Sequence, residues 1–354
     1  MHNGNDRICS EDSTADPKVS VIIPAFNLEK YIARAMKSVL LQSYHNLELI
    51  VVDDGSEDST LSEINKVVES DSRTTVIHKE NGGVSSARNM GIAAASGDYC
   101  IFLDGDDWLL PDAVSTFVSV AKASLHNDLI CCNREYARDT GIGKIELYGA
   151  NDGQEQMRIN ARDARLLFGS RTVFSIQNVC YKMFSLDIIR RNNLVFSEGI
   201  TNKEDGLFLI NYLYYVDGIT YTPKCNWVVY QRSGSAMRTS FRSSWTTGVV
   251  ALNMLLDKYG DDGDFRKVIL REKAKLCTFL IIRGSTTRQL DASRAQWLRR
   301  ELSDCRLEIS CGKPDGVRLP SYVVAKFLPI YLARLYGMIT SAVRQHGFRL
   351  QNNH

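Results

Sequence analysis

The sequence predicts an α/β fold: a mostly parallel sheet flanked by helices, followed by a helical region. Three observations carry this. Short β-branched runs alternate with segments of helical spacing along the first third of the chain. Polar residues gather just after those runs, where open α/β sheets bind ligands. Beyond Ser244 the strand pattern stops and helical spacing continues almost without a break.

Taken in order, Val19 to Ile23 is an apolar run ended by Pro24, which reads as a buried strand. From Leu28 to Leu41, Tyr31, Ile32, Ala35, Met36, Val39 and Leu40 fall on one helical face. Leu47 to Val52 is a second strand and 59–69 a helix. Thr74 to His78 is a strand, 85–95 a helix and Asp98 to Leu103 a strand. Pro111 suits the first turn of the next helix, and Leu129 to Asn133 begins another strand. Such strand–helix–strand units imply parallel pairing. Residues 138–165 are polar and irregular. An α+β pattern returns between Thr172 and Arg232, with a helix opening at Thr201 to Asp205 and one strand or a pair over 221–230. Helices are expected over 244–259, 264–283, 291–303 and 321–343. The expected division is a disordered lead over 1–17, a first domain over 18–240 and a helical domain over 241–354.

Composition narrows the function. With 44% hydrophobic and 24% charged residues, the chain of 354 residues can bury a large core. The 43 Lys and Arg against 41 Asp and Glu lack the basic footprint of a general nucleic-acid binder. Nine cysteines without any Cys-x-x-Cys fit neither a zinc site nor a disulfide framework. They read as free thiols in a reducing compartment, mostly filling core. The polar start, with Glu11, Asp12 and Asp16 and no apolar run, is not a secretory signal.

The chemistry gathers at strand ends. Asp104-Gly105-Asp106-Asp107 sets three carboxylates in four residues. They repel one another unless a cation intervenes, and hard Mg²⁺ or Mn²⁺ bridges few carboxylates to substrate phosphates. An Asp-rich surface turn is the plain alternative. An EF-hand fits poorly, because its twelfth residue would be Ser115. Asp53-Asp54-Gly55-Ser56 ends a neighbouring strand. Asn81 to Asn89 places two glycines before a helix, where backbone approaches closely and anions are favoured.

Together, Val19 to Asn27, Val51 to Ser56, Asn81 to Asn89 and Leu103 to Asp107 resemble the nucleotide-sugar domain of inverting family 2 glycosyltransferases, of GT-A fold. The resemblance covers about residues 18–235. It implies that Asp54, beside Asp53, accepts from the nucleobase, and that Pro24, Ala25, Phe26 and Asn27 form the loop against the nucleoside. It implies that Asp104 opens the acid motif, that Asp106 holds ribose, and that Asp106 and Asp107 hold Mn²⁺ or Mg²⁺. Gly83 allows close approach, and Arg88 reaches donor hydroxyls or a phosphate. Trp108 stacks on a sugar or packs at the rim. Asp205 matches the family's base and Glu204 a supporting or acceptor-binding carboxylate; both acids also suit a helix N-terminus. Arg232, in Tyr230 to Met237, matches a loop that touches the diphosphate.

The implied partners are a nucleotide-sugar donor, UDP-linked, and a glycan or lipid-linked glycan acceptor in surface-polysaccharide assembly. Gln296-Trp297-Leu298-Arg299 lacks the Gln-x-x-Arg-Trp order of processive synthases, and no apolar run approaches ~20 residues, so one sugar is added per encounter. From Gly316 to His354 there is no acid; Arg318, Lys326, Arg334, Arg344 and Arg349 interrupt apolar residues. This suits residues 318–349 to an anionic membrane surface, or to packing on the catalytic domain or a homo-oligomer interface. The expected location is the cytoplasm, at the inner face of the cell membrane. The alternatives are a silent nucleotide-sugar-binding scaffold and a sugar-phosphate nucleotidyltransferase. The latter lacks its Gly-rich, Arg-Lys loop near the N-terminus.

Overall fold

The computed structural model describes residues 16–69, 71–139, 145–149, 155–231, 241–305 and Lys326. Most of the expected lead over 1–17, the loop carrying Arg232 and the basic tail over 318–349 lie outside the described residues.

The alternating pattern becomes β1 (Val19–Ala25), α1 (Ile32–Leu40), β2 (Leu47–Asp53), α2 (Thr60–Val68), β3 (Thr74–His78), α3 (Val84–Ala94) and β4 (Tyr99–Phe102). Then come β5 (Trp108–Leu109), α4 (Ala113–Ala123), β6 (Asp128–Asp139), β7 (Ile145–Tyr148), β8 (Met157–Asn160) and α5 (Ala161–Leu166). β9 (Lys182–Ser185), α6 (Leu186–Arg191), α7 (Glu204–Tyr212) and β10 (Gly218–Gln231) follow. The strands form one sheet in the order β3-β2-β1-β4-β9-β6-β10-β5, with β7 beside β6 and β8 beside β10. β1 pairs parallel with β2 and β4, β2 with β3, and β6 with β10. β9 runs antiparallel between β4 and β6.

Both faces of the sheet are covered, which is why its central strands read as unbroken apolar runs. Val19, Val21 and Ile23 pack in one layer with Ile32, Met36, Val39 and Phe117. Ile22, Ile50 and Phe102 face the other, with Phe184, Phe196 and Phe208. Pro24 does not end its strand as expected; it sits inside β1 opposite Val52. The β1–β4 pairing stops at Ile22 and Phe102, so Pro24 lacks no ladder donor on that side. The short strands β5, β7 and β8 were not expected. β7 and β8 are largely exposed, and at four residues each they are too short for their apolar alternation to stand out.

The helical region holds α8 (Thr247–Tyr259), α9 (Gly263–Thr286) and α10 (Ala292–Asp304), after a 3-10 turn at Ser243–Thr246. Asp262 and Asp291 cap α9 and α10 by accepting from the backbone N–H groups of Phe265 and Arg294. Phe241, Val249, Cys277, Ile281 and Leu298 form a core of their own. This region is also tied to α7: the Tyr259 hydroxyl donates to Asn211 Oδ1 at 2.7 Å. Among the described residues no helix is long and apolar enough to cross a membrane.

Glu48 fastens three elements at the start of β2. It accepts from Ser20 Oγ at 2.6 Å, from Ser96 N at 2.6 Å and Oγ at 2.8 Å, and pairs with Lys18 at 2.7 Å. Burial alone would raise its carboxyl, but the bonds from Lys18, Ser20 and Ser96 win and bring it down to about 2. Its stabilisation is therefore complete above the ordinary glutamate value and is lost as pH falls toward about 2. We expect Glu48→Gln to lose about 1–3 kcal/mol at neutral pH. The difference from the parent should shrink steadily in urea melts taken at decreasing pH below the ordinary glutamate range.

Candidate active site

Three loops at the carboxyl ends of β1, β2 and β3 interlock. Asn27 adopts φ 53°, a left-handed conformation that Asn tolerates. Its N–H donates to Ser56 Oγ at 3.0 Å, and its side-chain oxygen accepts from Glu57 N at 2.9 Å. The Asp54 N–H donates to Ala25 O at 2.8 Å. Gly55 has φ 72°, and a Cβ there would lie 2.8 Å from Asn81 N, so no other residue fits. Pro24 is half-buried, Ala25 buried and Phe26 exposed.

Asp54 is the centre of this knot. Its Oδ1 accepts from Lys79 Nζ at 2.6 Å and Gly82 N at 2.9 Å, and its Oδ2 from Gly83 N at 2.8 Å. A carboxylate offers about four acceptor positions, so roughly one is left for a ligand donor. Asp53 is buried and holds a different contact, His78 Nδ1 at 2.7 Å from its Oδ2. Gly83 has φ 86° with open space where a Cβ would stand, and it leads directly into α3.

Arg88, on α3, is buried and joins two acids from distant parts of the chain. Its Nη1 donates to Asp205 Oδ1 at 2.5 Å and its Nη2 to Asp104 Oδ1 at 3.1 Å. Burial opposes its charge, but Asp205 and Asp104 outweigh this and hold it firmly protonated. Asp205 also meets the Val179 N–H at 3.4 Å. Burial raises the Asp205 carboxyl; Arg88 pulls it back and Asp104 raises it further. Glu204 is pushed up to about 7 by burial and by the neighbouring Asp205 charge.

In the acid turn, Asp104 is partly exposed at 44% and Asp106 half-buried. Gly105 is required, since a Cβ would meet Leu28 at 2.7 Å. Asp107 points inward. Its Oδ2 accepts from Trp227 Nε1 at 3.2 Å and its Oδ1 from Tyr230 N at 2.9 Å. Burial, with Asp104 and Asp106 nearby, drives its carboxyl well above the ordinary range. Asp107, expected with Asp106 to hold a metal, is engaged here in anchoring β10. The less buried pair is Asp104 and Asp106, hard oxygen ligands that suit a divalent cation completing its shell with water and phosphate. Among the described residues no group of three or more His, Cys, Asp or Glu is arranged as a ready-made metal site.

Trp108 lies beside Arg34, whose guanidinium is 3.9 Å from its ring centre and 4.5 Å from that of Tyr230. Arg34 Nη2 also donates to Asp106 O at 2.8 Å, so α1 steadies the acid turn. Sequence reasoning passed over Arg34, Lys79 and Lys182. Lys182 is completely buried and, among the described residues, donates to neutral oxygens, those of Ser175, Asn178 and Cys180. It fixes the loop carrying Val179, which touches Asp205. A lysine between Tyr181 and Met183-Phe184, inside an apolar strand, was the available signal.

Against known proteins, the family model Glycosyl transferase family 2 matches residues 20–188. An uncharacterized glycosyltransferase of Haemophilus influenzae is 30% identical over 237 residues, 66% of this chain and 87% of that protein. The chain belongs to glycosyl transferase family 2. It is a glycosyltransferase. Glycosyltransferase GlyA of Streptococcus pneumoniae is 35% identical over 138 residues, 39% of this chain, and the match spans only 18% of GlyA. The fold matches Staphylococcus aureus TarS 1–349 in complex with UDP at a TM-score of 0.65 and 18% identity, covering 93% of this chain and 92% of that one.

The two roles in the acid turn are separable. Asp107→Asn turns an amide N–H₂ toward one of its two donors and should cost about 1–3 kcal/mol in chemical denaturation. Asp106→Asn, at a half-buried position, should change stability by less than about 0.5 kcal/mol while abolishing any metal-dependent gain in donor binding.

Proposed function

We propose that this family 2 glycosyltransferase transfers one sugar per encounter from a UDP-sugar to a hydroxyl of a glycan or lipid-linked glycan, with inversion. The observation that carries this is the Arg88 bridge, which couples Asp104 of the acid turn to Asp205 at the start of α7. In this reading one guanidinium links the acid turn, taken as the donor-phosphate end, to the candidate base.

In this reading the nucleobase N–H donates to the remaining acceptor position of Asp54, and Phe26 lies against the nucleoside. The UDP in the TarS structure supports a uridine donor here. Asp104 and Asp106 would hold Mn²⁺ or Mg²⁺, which when bound neutralises charge on the diphosphate. Asp205 takes the acceptor hydroxyl proton as the oxygen attacks the anomeric carbon. The C1–O bond forms as the bond to the diphosphate oxygen breaks, and the nucleoside diphosphate leaves from the opposite face. Arg88 keeps Asp205 oriented. Glu204 sits on the acceptor side. Arg232 remains a proposed diphosphate contact and residues 318–349 a proposed membrane-surface contact at the inner face of the cell membrane.

A screen of UDP-, GDP- and dTDP-sugars with Mn²⁺ should give slow nucleotide release from one UDP-sugar, suppressed by EDTA. Asp205→Asn should cut turnover about 10²–10⁴-fold with donor binding retained. Since Glu204 holds its proton up to about 7 beside Asp205, turnover should fall as pH drops through that value. Glu204→Gln should move this limb to lower pH. Absence of donor binding by calorimetry across the panel would overturn the reading.

A further inference from the structure

We propose that Glu272, on α9, is a positioning residue for the Glu204–Asp205 pair and acts through Lys203, so that the helical region completes the active site. The proposal rests on the assignment of that pair to the basic end of the cleft.

The three residues that precede the pair are each tied to the helical region. Thr201 N donates to Thr247 Oγ1 at 3.0 Å, and Thr201 Oγ1 to Ser244 O at 3.1 Å. Asn202 Nδ2 donates to Trp245 O at 3.3 Å. Lys203 Nζ donates to Gln177 Oε1 at 2.8 Å and lies 3.7 Å from Glu272 Oε2. Lys203 adopts φ 69°, a left-handed conformation costly for a lysine, which persists only where its surroundings hold it. It stands immediately before α7, so its backbone sets the direction in which Glu204 and Asp205 leave the loop.

Glu272 is seated for this task. It is only 5% exposed, and its Oε1 also accepts from Lys275 Nζ at 2.8 Å. Beneath it lies Gly169 at φ 82°, where a Cβ would fall 1.9 Å from Glu272 Cδ. Only a glycine leaves space for that carboxylate. A buried carboxylate needs its cations, and a buried lysine its anion. Removing Lys203 leaves Glu272 with Lys275 as its cation, and removing Glu272 leaves Lys203 with the neutral Gln177 oxygen; in either case the strain at Lys203 relaxes by moving the start of α7. A shift near 1 Å at a reacting group is enough to cost on the order of 10²-fold in rate.

The test compares the full-length parent with Glu272→Gln, Lys203→Gln and the double variant. Hydrogen exchange of the peptide over 200–212 reads position without requiring turnover. Nucleotide release from a panel of UDP-sugars reads rate. We expect each single variant to speed exchange in that peptide about tenfold and to lower kcat about 10- to 100-fold, with donor KM within about twofold. The double variant should match the singles rather than sum them. Should Glu272→Gln fail to fold, Lys203→Gln carries the same prediction alone. Unchanged exchange over 200–212, a loss confined to KM, or additive effects would overturn the proposal. Asp205→Asn separates the two readings: full turnover in that variant would sink the catalytic assignment, and the exchange data would then decide the positioning by themselves.

Discussion

The Arg88 guanidinium, held between Asp104 and Asp205, is the interaction on which the rest of the site depends. Arg88 is buried, Asp205 largely so, and Asp104 reaches the cluster from a partly exposed position. Arg88 or Asp205 alone would carry a heavy desolvation cost; together the three satisfy one another. The arrangement also sets their chemistry. Asp205 is raised by burial and lowered by Arg88, so it is ionisable yet kept in a fixed orientation. Arg88 further rests over the Phe196 ring at 5.2 Å, which links the charge cluster to the aromatic core beneath it.

The same economy appears in the two other acids expected to bind ligand. Asp54 gathers the glycine loop through two backbone N–H groups and Lys79 before it meets any substrate. Asp107 gathers β10 through Trp227 and Tyr230. Each is first a fastener between chain segments far apart in sequence. A pocket assembled from loops keeps its geometry only if such side chains replace the ladder bonds that loops lack. Arg34 and Lys182 do comparable work with cations and neutral oxygens.

The helical region is more than an appendage in this picture. It has its own core, yet it reaches α7 through Asn211 and the loop before it through Thr201, Asn202 and Lys203. The segment that carries Glu204 and Asp205 is thus held from the sheet on one side, by Arg88 and Val179, and from the helices on the other.

The sequence by itself determined the sheet and its helices, because β-branched runs and amphipathic spacing are local signals: Thr74 to His78 matches β3 at both ends, and α3 lies within one residue of where the spacing put it. It also marked the acid turn and the glycine loop by their composition, whereas Glu204-Asp205 stood out only through the family resemblance. The strand that Pro24 was expected to stop ran on, because only the pairing of β1 with β4 reveals where a ladder donor is missing. Which acid of Asp104 to Asp107 faces outward was likewise decided by tertiary structure. Adjacent residues on a turn have similar composition but opposite directions, and the direction of Asp107 comes from Trp227 and Tyr230, far along the chain. Arg34, Lys182 and Glu272 stayed hidden for the same reason: a lone charge on a helix or strand acquires its role only from partners that folding brings to it.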